Sequence, residues 1–251
     1  MLTIAHVSDL HLGAHHDAAV QSLIADVAAV RPDLTVVTGD WTMRARPVEF
    51  DLAKELLKRL PEPVLSVLGN HDLPLAGPQR LLRPYDRYRT WICDDLDPVI
   101  HLAGLTAAGV ASMPRWRWKD GRVTRQQTTS LTAAFAAAPP DGLRLIALHH
   151  PPTGRRLVGR SRLLTAAREA GVHLVLAGHT HIPEVRRLAG GPVLITAGTS
   201  TSRRTRGTPR SWSRITVAGG TVTVVERYPS GAGWHTGRLT TVPGSPVASG
   251  G

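Results

Sequence analysis

The fold of this chain is decided by a pattern that first occurs in the stretch IAHVSDLH, residues 4–11. A short, mainly apolar run at 4–7 has the length of a buried strand, and polar residues follow it at once. The same pattern recurs at 34–37, 64–68, 143–148, 173–176 and 193–195. These runs predict buried strands in a sheet that is at least partly parallel.

Helical patterns separate these runs. Residues 18–30 and 48–60 predict amphipathic helices, and residues 124–137 predict a third helix that ends before Pro139 and Pro140. In the second helix the apolar residues share one face, and they are Phe50, Ala53, Leu56, Leu57 and Leu60. The alternation of strands and helices predicts an α/β architecture.

The C-terminal part of the chain has a different character. Residues 212–217 and 221–226 flank Gly219 and Gly220, which predicts a β-hairpin. Beyond Tyr228 the chain is rich in Gly, Ser, Pro and Thr, so residues 229–251 are predicted to be a poorly ordered tail. Because no internal repeat or strong linker interrupts the pattern, residues 1–228 are predicted to form a single domain.

Composition limits the function without identifying it. The 251 residues carry a formal net charge of +11, which favours anionic partners such as phosphate esters, nucleic acid or an acidic membrane surface. Cys93 is the only cysteine, so an internal disulfide is excluded and a reducing compartment is favoured. No signal-peptide pattern and no run of about 18 apolar residues occurs, and we therefore expect a cytoplasmic protein without a membrane span.

Side chains that bind metals follow five of the predicted strands: Asp9 and His11, Asp40, Asn70, His149, and His179 with His181. Functional groups in open α/β sheets gather beyond the carboxyl ends of the strands. Each motif alone is weak, because Gly-Asp and Asn also occur in ordinary turns and a histidine can be a satisfied core residue. Five such motifs at successive strand ends favour one metal site over five unrelated turns.

This ordered set resembles the motifs of the calcineurin-like metallophosphoesterases over most of residues 2–228. The motifs that carry the resemblance are Asp9-Leu10-His11, Gly39-Asp40, Gly69-Asn70-His71-Asp72, His149 and Gly178-His179-Thr180-His181. The resemblance implies a four-layer αββα sandwich, in which two mixed β-sheets are flanked by helices. It also implies a dinuclear metal centre at the strand ends.

The resemblance implies two groups of ligands bridged by Asp40: Asp9, His11 and His181 for one metal, and Asn70, His149 and His179 for the other. His71 is implied to lie near the phosphate as a general acid or hydrogen-bond donor. Asp72 is implied to orient its neighbours. In the pair His149-His150 the first histidine matches the ligand, and His150 is expected to be structural.

The chemistry of these residue types agrees with such a centre. Two metals about 3.5–4 Å apart can clamp a phosphate and an attacking hydroxide that bridges them. Imidazole, carboxylate and amide ligands without thiolate favour Mn, Fe, Zn or Co over Ca or Mg. The expected activity is therefore the hydrolysis of an anionic phosphate ester with two transition-metal ions as cofactors.

The sequence narrows the substrate only in part. Met43 stands where the serine/threonine protein phosphatases of the family have an aspartate, which disfavours that class. The compact chain and the stretch GDWTMRAR, residues 39–46, resemble small bacterial phosphodiesterases of the cyclic-nucleotide phosphodiesterase-like group. Small phosphodiesters, cyclic nucleotides among them, are therefore the expected substrates. Phosphomonoesterase, pyrophosphatase and nuclease activity remain alternatives, as does a metal-free protein-binding scaffold; nucleic acid is not favoured as a partner, and the oligomeric state is not predicted.

Three arginine clusters are candidates for substrate binding or for solvated surface: Arg44 with Arg46, Arg155 with Arg156, and Arg203 with Arg204 and Arg206. We select Arg44, which closely follows the bridging aspartate, as the substrate-binding residue. Residues 114–119, PRWRWK, interleave cations and aromatic rings. Such a segment can stack nucleobases, but a loop packed over the edge of the core is the favoured interpretation.

Overall fold

The computed structural model describes residues 1–231 and 233–243. In this part of the chain the helices are α1 (Asp17–Val30), α2 (Pro47–Leu57), α3 (Pro78–Leu82), α4 (Asp86–Trp91), α5 (Arg125–Ala136) and α6 (Arg160–Glu169). The strands are β1 (Leu2–Val7), β2 (Leu34–Thr38), β3 (Val64–Val67), β4 (Val99–Leu102), β5 (Leu105–Val110), β6 (Gly121–Arg122), β7 (Leu143–Leu148), β8 (Leu157–Val158), β9 (Leu174–His181), β10 (Glu184–Arg187), β11 (Val193–Gly198), β12 (Trp212–Ala218), β13 (Thr221–Ser230) and β14 (Gly233–Pro243).

Two six-stranded mixed sheets face each other. The first has the order β14-β13-β12-β1-β2-β3, and the second has the order β10-β11-β9-β7-β5-β4. Within them β1, β2 and β3 pair in parallel, and so do β5, β7, β9 and β11. An apolar cluster that includes Ile4, Leu34 and Leu145 fills the space between the sheets, because it contains side chains from both.

Helices cover the outer faces of both sheets. Leu23 of α1 and Phe50 of α2 pack with Val7 and Val37 of the first sheet. Leu131 of α5 and Leu163 of α6 belong to a cluster on the second sheet. The predicted four-layer αββα sandwich is therefore confirmed.

Strand β5 was missed by the sequence prediction because its sequence, LTAAGV, has little of the β-branched and aromatic character of a strand. Its small residues have a packing reason. A Cβ on Gly109 would lie 2.8 Å from Cγ1 of Val67 and 2.9 Å from Cδ of Pro98, too close for a real side chain. The close approach of β3 to β5 therefore selects small residues at the expense of strand propensity.

The C-terminal hairpin is present, but the predicted tail is wrong for much of its length. Strand β13 continues to Ser230, and Gly233–Pro243 form β14, which pairs antiparallel with it. Trp234 anchors the new strand by donating from Nε1 to Oγ of Ser22 on α1 at 3.1 Å. Composition does not reveal this order, because it comes from backbone pairing with β13. Residues 244–251 of the predicted tail lie outside the described residues.

Within the described ranges, no helix combines the length and the apolar character needed to cross a bilayer.

Candidate metal centre

The fold gathers the predicted ligand residues at one edge of the sandwich. They follow β1, β2, β3 and β7 or end β9, so the carboxyl ends of parallel strands deliver them to one place. Asn70 is half-buried. The other six residues are buried: Asp9, His11, Asp40, His149, His179 and His181. Five strand ends that are distant in sequence thus form one polar cluster inside an apolar fold.

The backbone at this cluster is unusual. Five of these residues have left-handed conformations, with φ values of 52° at Asp9, 50° at His11, 55° at Asp40, 70° at His179 and 61° at His181. Positive φ is costly for residues other than glycine, and such strain concentrates at functional sites. Here it turns each side chain back toward the common centre as the strand ends.

In the first group of donors, Oδ1 of Asp9 lies 3.1 Å from Nε2 of His181 and 3.7 Å from Nε2 of His11. The other carboxylate oxygen, Oδ2, accepts hydrogen bonds from Oγ of Ser8 at 2.6 Å and from N of His179 at 3.0 Å. Oδ1 is buried and makes no hydrogen bond within the described residues. Nδ1 of His181 donates to the carbonyl of Arg204, so the neutral ring turns the lone pair of Nε2 toward Oδ1. A buried carboxylate oxygen without a donor is costly, and a cation at this position would satisfy it.

The second group of donors lies beside the first. Oδ1 of Asn70 is 3.2 Å from Nε2 of His149 and 3.1 Å from Nδ1 of His179. Nδ1 of His149 donates to the carbonyl of Thr38 at 2.7 Å, so the lone pair of Nε2 points into the cluster. These three donor atoms converge as ligands of one cation do.

Asp40 lies between the two groups. Its Oδ2 is 3.6 Å from Nε2 of His11 in the first group and 3.5 Å from Nε2 of His149 in the second. Its Oδ1 is occupied by a hydrogen bond from the backbone N–H of His71 at 2.8 Å. One oxygen atom of Asp40 therefore faces both groups and could bridge two cations.

The protonation states of His11, His179 and Asp40 suit cation binding. Burial alone would lower the pKa of His181, but Asp9 and the carbonyl of Arg204 raise it. Burial lowers the pKa of His11 to about 4 and that of His179 to about 3. Burial by itself would raise the pKa of Asp40, but the nearby His149, His71 and His11 outweigh it and hold the pKa below its ordinary value. Neutral imidazoles and ionised carboxylates at neutral pH are the forms that bind metals.

Glycines permit the close packing of the centre. A Cβ on Gly178 would overlap Oγ of Ser8 and lie 2.6 Å from Oδ2 of Asp9. A Cβ on Gly69 would overlap Oδ1 and the backbone N of Asp40. These two glycines are therefore needed for space, because any side chain would displace the carboxylates.

His71 is half-buried and lies at the mouth of the cluster, with its ring edge-on to His11 at a centroid distance of 4.8 Å. Its Nδ1 donates to the carbonyl of Met43 at 2.8 Å, and its Nε2 lies 3.5 Å from Nη1 of Arg204. Nε2 thus faces the open side of the site. No local signal in the sequence distinguishes Arg204 from Arg203 and Arg206 in its cluster.

Asp72 and His150 are buried and have other partners. Oδ1 of Asp72 accepts from N of Thr42 at 2.9 Å, and Oδ2 accepts from N of Gly69 at 2.9 Å, so the carboxylate holds two loops of the site together. His150 uses both ring nitrogens, Nδ1 with Oγ of Ser112 at 2.8 Å and Nε2 with the carbonyl of Lys119 at 2.9 Å. His150 therefore has no lone pair to offer a metal.

A pocket of about 430 Å³ opens beside the cluster. Asn70 and His71 form its inner end, and the rest of its wall combines cations with apolar groups: Met43, Arg44, Leu73, Leu75, Arg80, Trp118, Lys119 and Arg204. Arg44 thus lines this pocket, whereas Arg155 lines a different one. The interpretation of residues 114–119 as a packed loop is wrong, because Trp116 is 61% exposed and Trp118 is 55% exposed.

The αββα sandwich and the Asp/His/Asn cluster at its strand ends define a metallophosphoesterase. The sequence model of the calcineurin-like phosphoesterase family matches residues 2–183, and the chain belongs to that family. It is accordingly a phosphoric ester hydrolase with a site for divalent metal ions.

Two curated relatives cover most of the chain. The glycerophosphodiester phosphodiesterase GpdQ of Enterobacter lignolyticus is 27% identical over 208 residues, which are 76% of this chain and 70% of that protein. A probable cyclic nucleotide phosphodiesterase of Psychrobacter arcticus is 25% identical over 232 residues, 79% of this chain and 80% of that protein. Both relatives are named as phosphodiesterases.

Solved structures share the fold at low sequence identity. A dimetal phosphatase from Danio rerio superposes with a TM-score of 0.68 at 14% identity, covering 97% of this chain and 99% of that one. A purple acid phosphatase from yellow lupin seeds gives a TM-score of 0.76 at 10% identity, covering 96% of this chain. The present chain spans 53% of the lupin protein's length, and the likeness shows the fold alone.

Proposed function

We propose that this protein is a dinuclear metal-dependent phosphodiesterase that hydrolyses small phosphodiesters. The observation that carries the proposal is the position of Oδ2 of Asp40, 3.6 Å from His11 and 3.5 Å from His149, between two convergent groups of donors. Asp9, His11 and His181 would hold one ion and Asn70, His149 and His179 the other, with Asp40 bridging. Nitrogen and oxygen donors without thiolate favour Mn, Fe, Zn or Co.

When bound, two such ions would withdraw charge from the phosphate oxygens and lower the pKa of a water molecule. The protein itself supplies proton transfer and charge neutralisation around them. Because Nδ1 of His71 donates to the carbonyl of Met43, Nε2 is the ring nitrogen that faces the pocket, and in the imidazolium form it carries a second proton there. From there this proton can pass to the oxygen of the departing alcohol.

The pocket favours a diester over a monoester. Arg44, Lys119 and Arg204 supply positive charge for the phosphate, while Leu75 and Trp118 supply apolar wall beyond it. A diester has a second organic group that can pack against these apolar side chains. A monoester is a dianion with only one organic group. The names of the two relatives, one for glycerophosphodiesters and one for cyclic nucleotides, agree with this preference.

A metal-free scaffold is the alternative from another class. It is disfavoured because the chain retains all seven donor residues and brings their donor atoms together in a buried cluster.

We further propose that both sheets, including β14, form one catalytic domain. The single Cys93, which is free, agrees with a cytoplasmic location.

The proposal is tested by comparing turnover of bis-p-nitrophenyl phosphate, p-nitrophenyl phosphate, cyclic AMP and glycerophosphocholine by manganese-loaded protein. Bound metal is measured in parallel, and a chelated sample is the control. We expect chelator-sensitive hydrolysis that is faster for the diesters than for the monoester. Hydrolysis of the monoester alone would refute the diester preference, and a protein that binds no metal would favour the scaffold.

A further inference from the structure

Exposed apolar side chains are concentrated beside the pocket. Five large ones occur in two short segments, residues 75–82 and 116–118, and we call them the Leu-Trp patch: Leu75 (54% exposed), Leu81 (61%), Leu82 (76%), Trp116 (61%) and Trp118 (55%). Single exposed apolar residues are ordinary, but a contiguous group marks an interaction surface. Leu75 and Trp118 also line the pocket, so the patch borders the mouth of the site.

A buried arginine joins the two segments. Arg80 is 5% exposed, and its guanidinium donates to the carbonyls of Pro74 at 3.0 Å, Arg115 at 2.8 Å and Arg117. The same guanidinium lies 5.2 Å from the ring centroid of Trp118, which adds a cation–π contact. Nη1 of Arg115 returns a 3.0 Å hydrogen bond to the carbonyl of Leu81. The patch is therefore one connected surface.

The surroundings of the patch are cationic. Arg83, Arg115, Arg117 and Lys119 occur in residues 75–83 and 114–120, whose only carboxylate is Asp120. Asp95, Asp97 and Arg122 line a pocket together with Trp116. Arg83 is 77% exposed in its side chain, and Asp86 lies 3.9 Å from its Nε. Asp120 lies 3.9 Å from Nη1 of Arg117, and both side chains are partly exposed. The positive charge of the ring around the apolar groups is thus only partly offset.

We propose that the Leu-Trp patch binds the surface of an anionic lipid bilayer. Leucines and indoles would enter the boundary between headgroups and acyl chains, and the surrounding cations would meet the lipid phosphates. Leucine offers no aromatic face for stacking on bases, so the composition fits a bilayer better than nucleic acid. Membrane binding does not depend on the proposed function; the presentation of lipid phosphodiesters to the pocket would follow only if that function also holds.

The test measures binding without relying on catalysis. Chelated protein is sedimented with vesicles of phosphatidylcholine alone and of phosphatidylcholine mixed with phosphatidylglycerol. We expect binding to the mixed vesicles that high salt weakens but does not abolish, because charge and apolar insertion both contribute. Failure to bind the mixed vesicles would overturn the proposal whatever the enzyme assays show.

Variants identify the surface. Leu82→Glu and Trp116→Glu are each expected to weaken vesicle binding by at least about tenfold, and Arg83→Ala by about fivefold. The matched controls are Val48→Glu and Leu239→Glu, whose wild-type residues are 62% and 61% exposed elsewhere, and they should bind normally. None of these five variants should differ from the wild-type protein in thermal unfolding or in the hydrolysis of soluble bis-p-nitrophenyl phosphate.

Three results would contradict the proposal. The first is equal loss of binding in the control variants. The second is a concentration-dependent dimer, seen by analytical ultracentrifugation, that Leu82→Glu dissociates while vesicle binding is absent. The third is tight binding of single-stranded DNA through Trp116 with no binding to vesicles.

Discussion

The backbone N–H of His71 donates a 2.8 Å hydrogen bond to Oδ1 of Asp40. This bond holds one carboxylate oxygen and turns the other, Oδ2, toward both groups of donors. Because His71 directly follows Asn70, the same short segment positions a proposed ligand, the proposed bridge and the proposed proton donor.

Asp40→Asn keeps the shape of the side chain and removes its charge. We expect the bridged pair of ions to be lost, with a fall in turnover of at least roughly 10³-fold, because an amide cannot shed negative charge onto two cations. Metal content by elemental analysis and turnover of bis-p-nitrophenyl phosphate check this. The exposed Asp94→Asn is the control. Normal metal content and turnover in the Asp40 variant would refute the ligand assignment.

His71→Ala should retain metal and slow the reaction by about 10²–10⁴-fold, the range for a general acid–base group. The defect should be larger for alkyl diesters than for p-nitrophenyl diesters, since a poor leaving group needs the proton more. His101→Ala, whose ring contacts Thr106 on the second sheet, is the control. Equal defects for both kinds of leaving group would argue that His71 serves only to bind phosphate.

Gly178→Ala should damage the centre without changing a polar residue. Its Cβ would overlap Oγ of Ser8, so the hydroxyl that holds Asp9 must move. We expect about 1–3 kcal/mol of destabilisation and weaker metal binding. Thermal unfolding and metal titration are the measurements. Gly233→Ala is the matched control, because no heavy atom lies within 4 Å of its added Cβ, and it should retain wild-type metal affinity.

Arg204→Ala should raise KM for diesters by about tenfold or more, the cost of losing a hydrogen bond between charged groups, while metal content stays unchanged. The backbone carbonyl of Arg204, which accepts a 2.6 Å bond from Nδ1 of His181, is not altered by the substitution. Arg44→Ala is expected to act in the same direction, because both side chains line the pocket. Arg203→Ala is the control, and an equal rise in its KM would point to a general loss of positive charge.

His6 should make the metal-free protein sensitive to acid. Burial lowers its pKa from 6.5 to about 3, partly opposed by Asp9, so the folded state excludes a proton that the unfolded chain binds. Stability is therefore lost as the pH falls below about 6.5, by about 2 kcal/mol at about pH 5 for this group. The free energy of urea unfolding is measured at about pH 8 and at about pH 5 for the metal-free protein and for His6→Phe. We expect the difference between the two pH values to be smaller by about 2 kcal/mol in His6→Phe. An unchanged difference would show that His6 is not the group responsible.

The sequence pattern by itself determined the α/β alternation and the metal-binding side chains at the strand ends, whereas the four layers were implied by the resemblance to the calcineurin-like metallophosphoesterases. Strands β1, β2, β7 and β9 are apolar runs that end at a ligand residue or lead straight into one, and such patterns are local. The predicted seven donors therefore needed no knowledge of how distant segments meet. The composition of the C-terminal segment, by contrast, wrongly predicted a poorly ordered tail where β14 lies. The order of β14 comes from its pairing with β13.

Only the tertiary structure decided which atoms are free to act. His149 and His150 are adjacent in sequence, yet Ser112 and Lys119 occupy both nitrogens of His150, while Nε2 of His149 faces the donor cluster. The role of Arg80 likewise depends on tertiary structure, because its guanidinium on α3 donates to the carbonyls of Arg115 and Arg117, more than 30 residues away. Hydrogen-bond partners of this kind are set by long-range packing, because the free energy of burying a polar group depends on which distant group it meets.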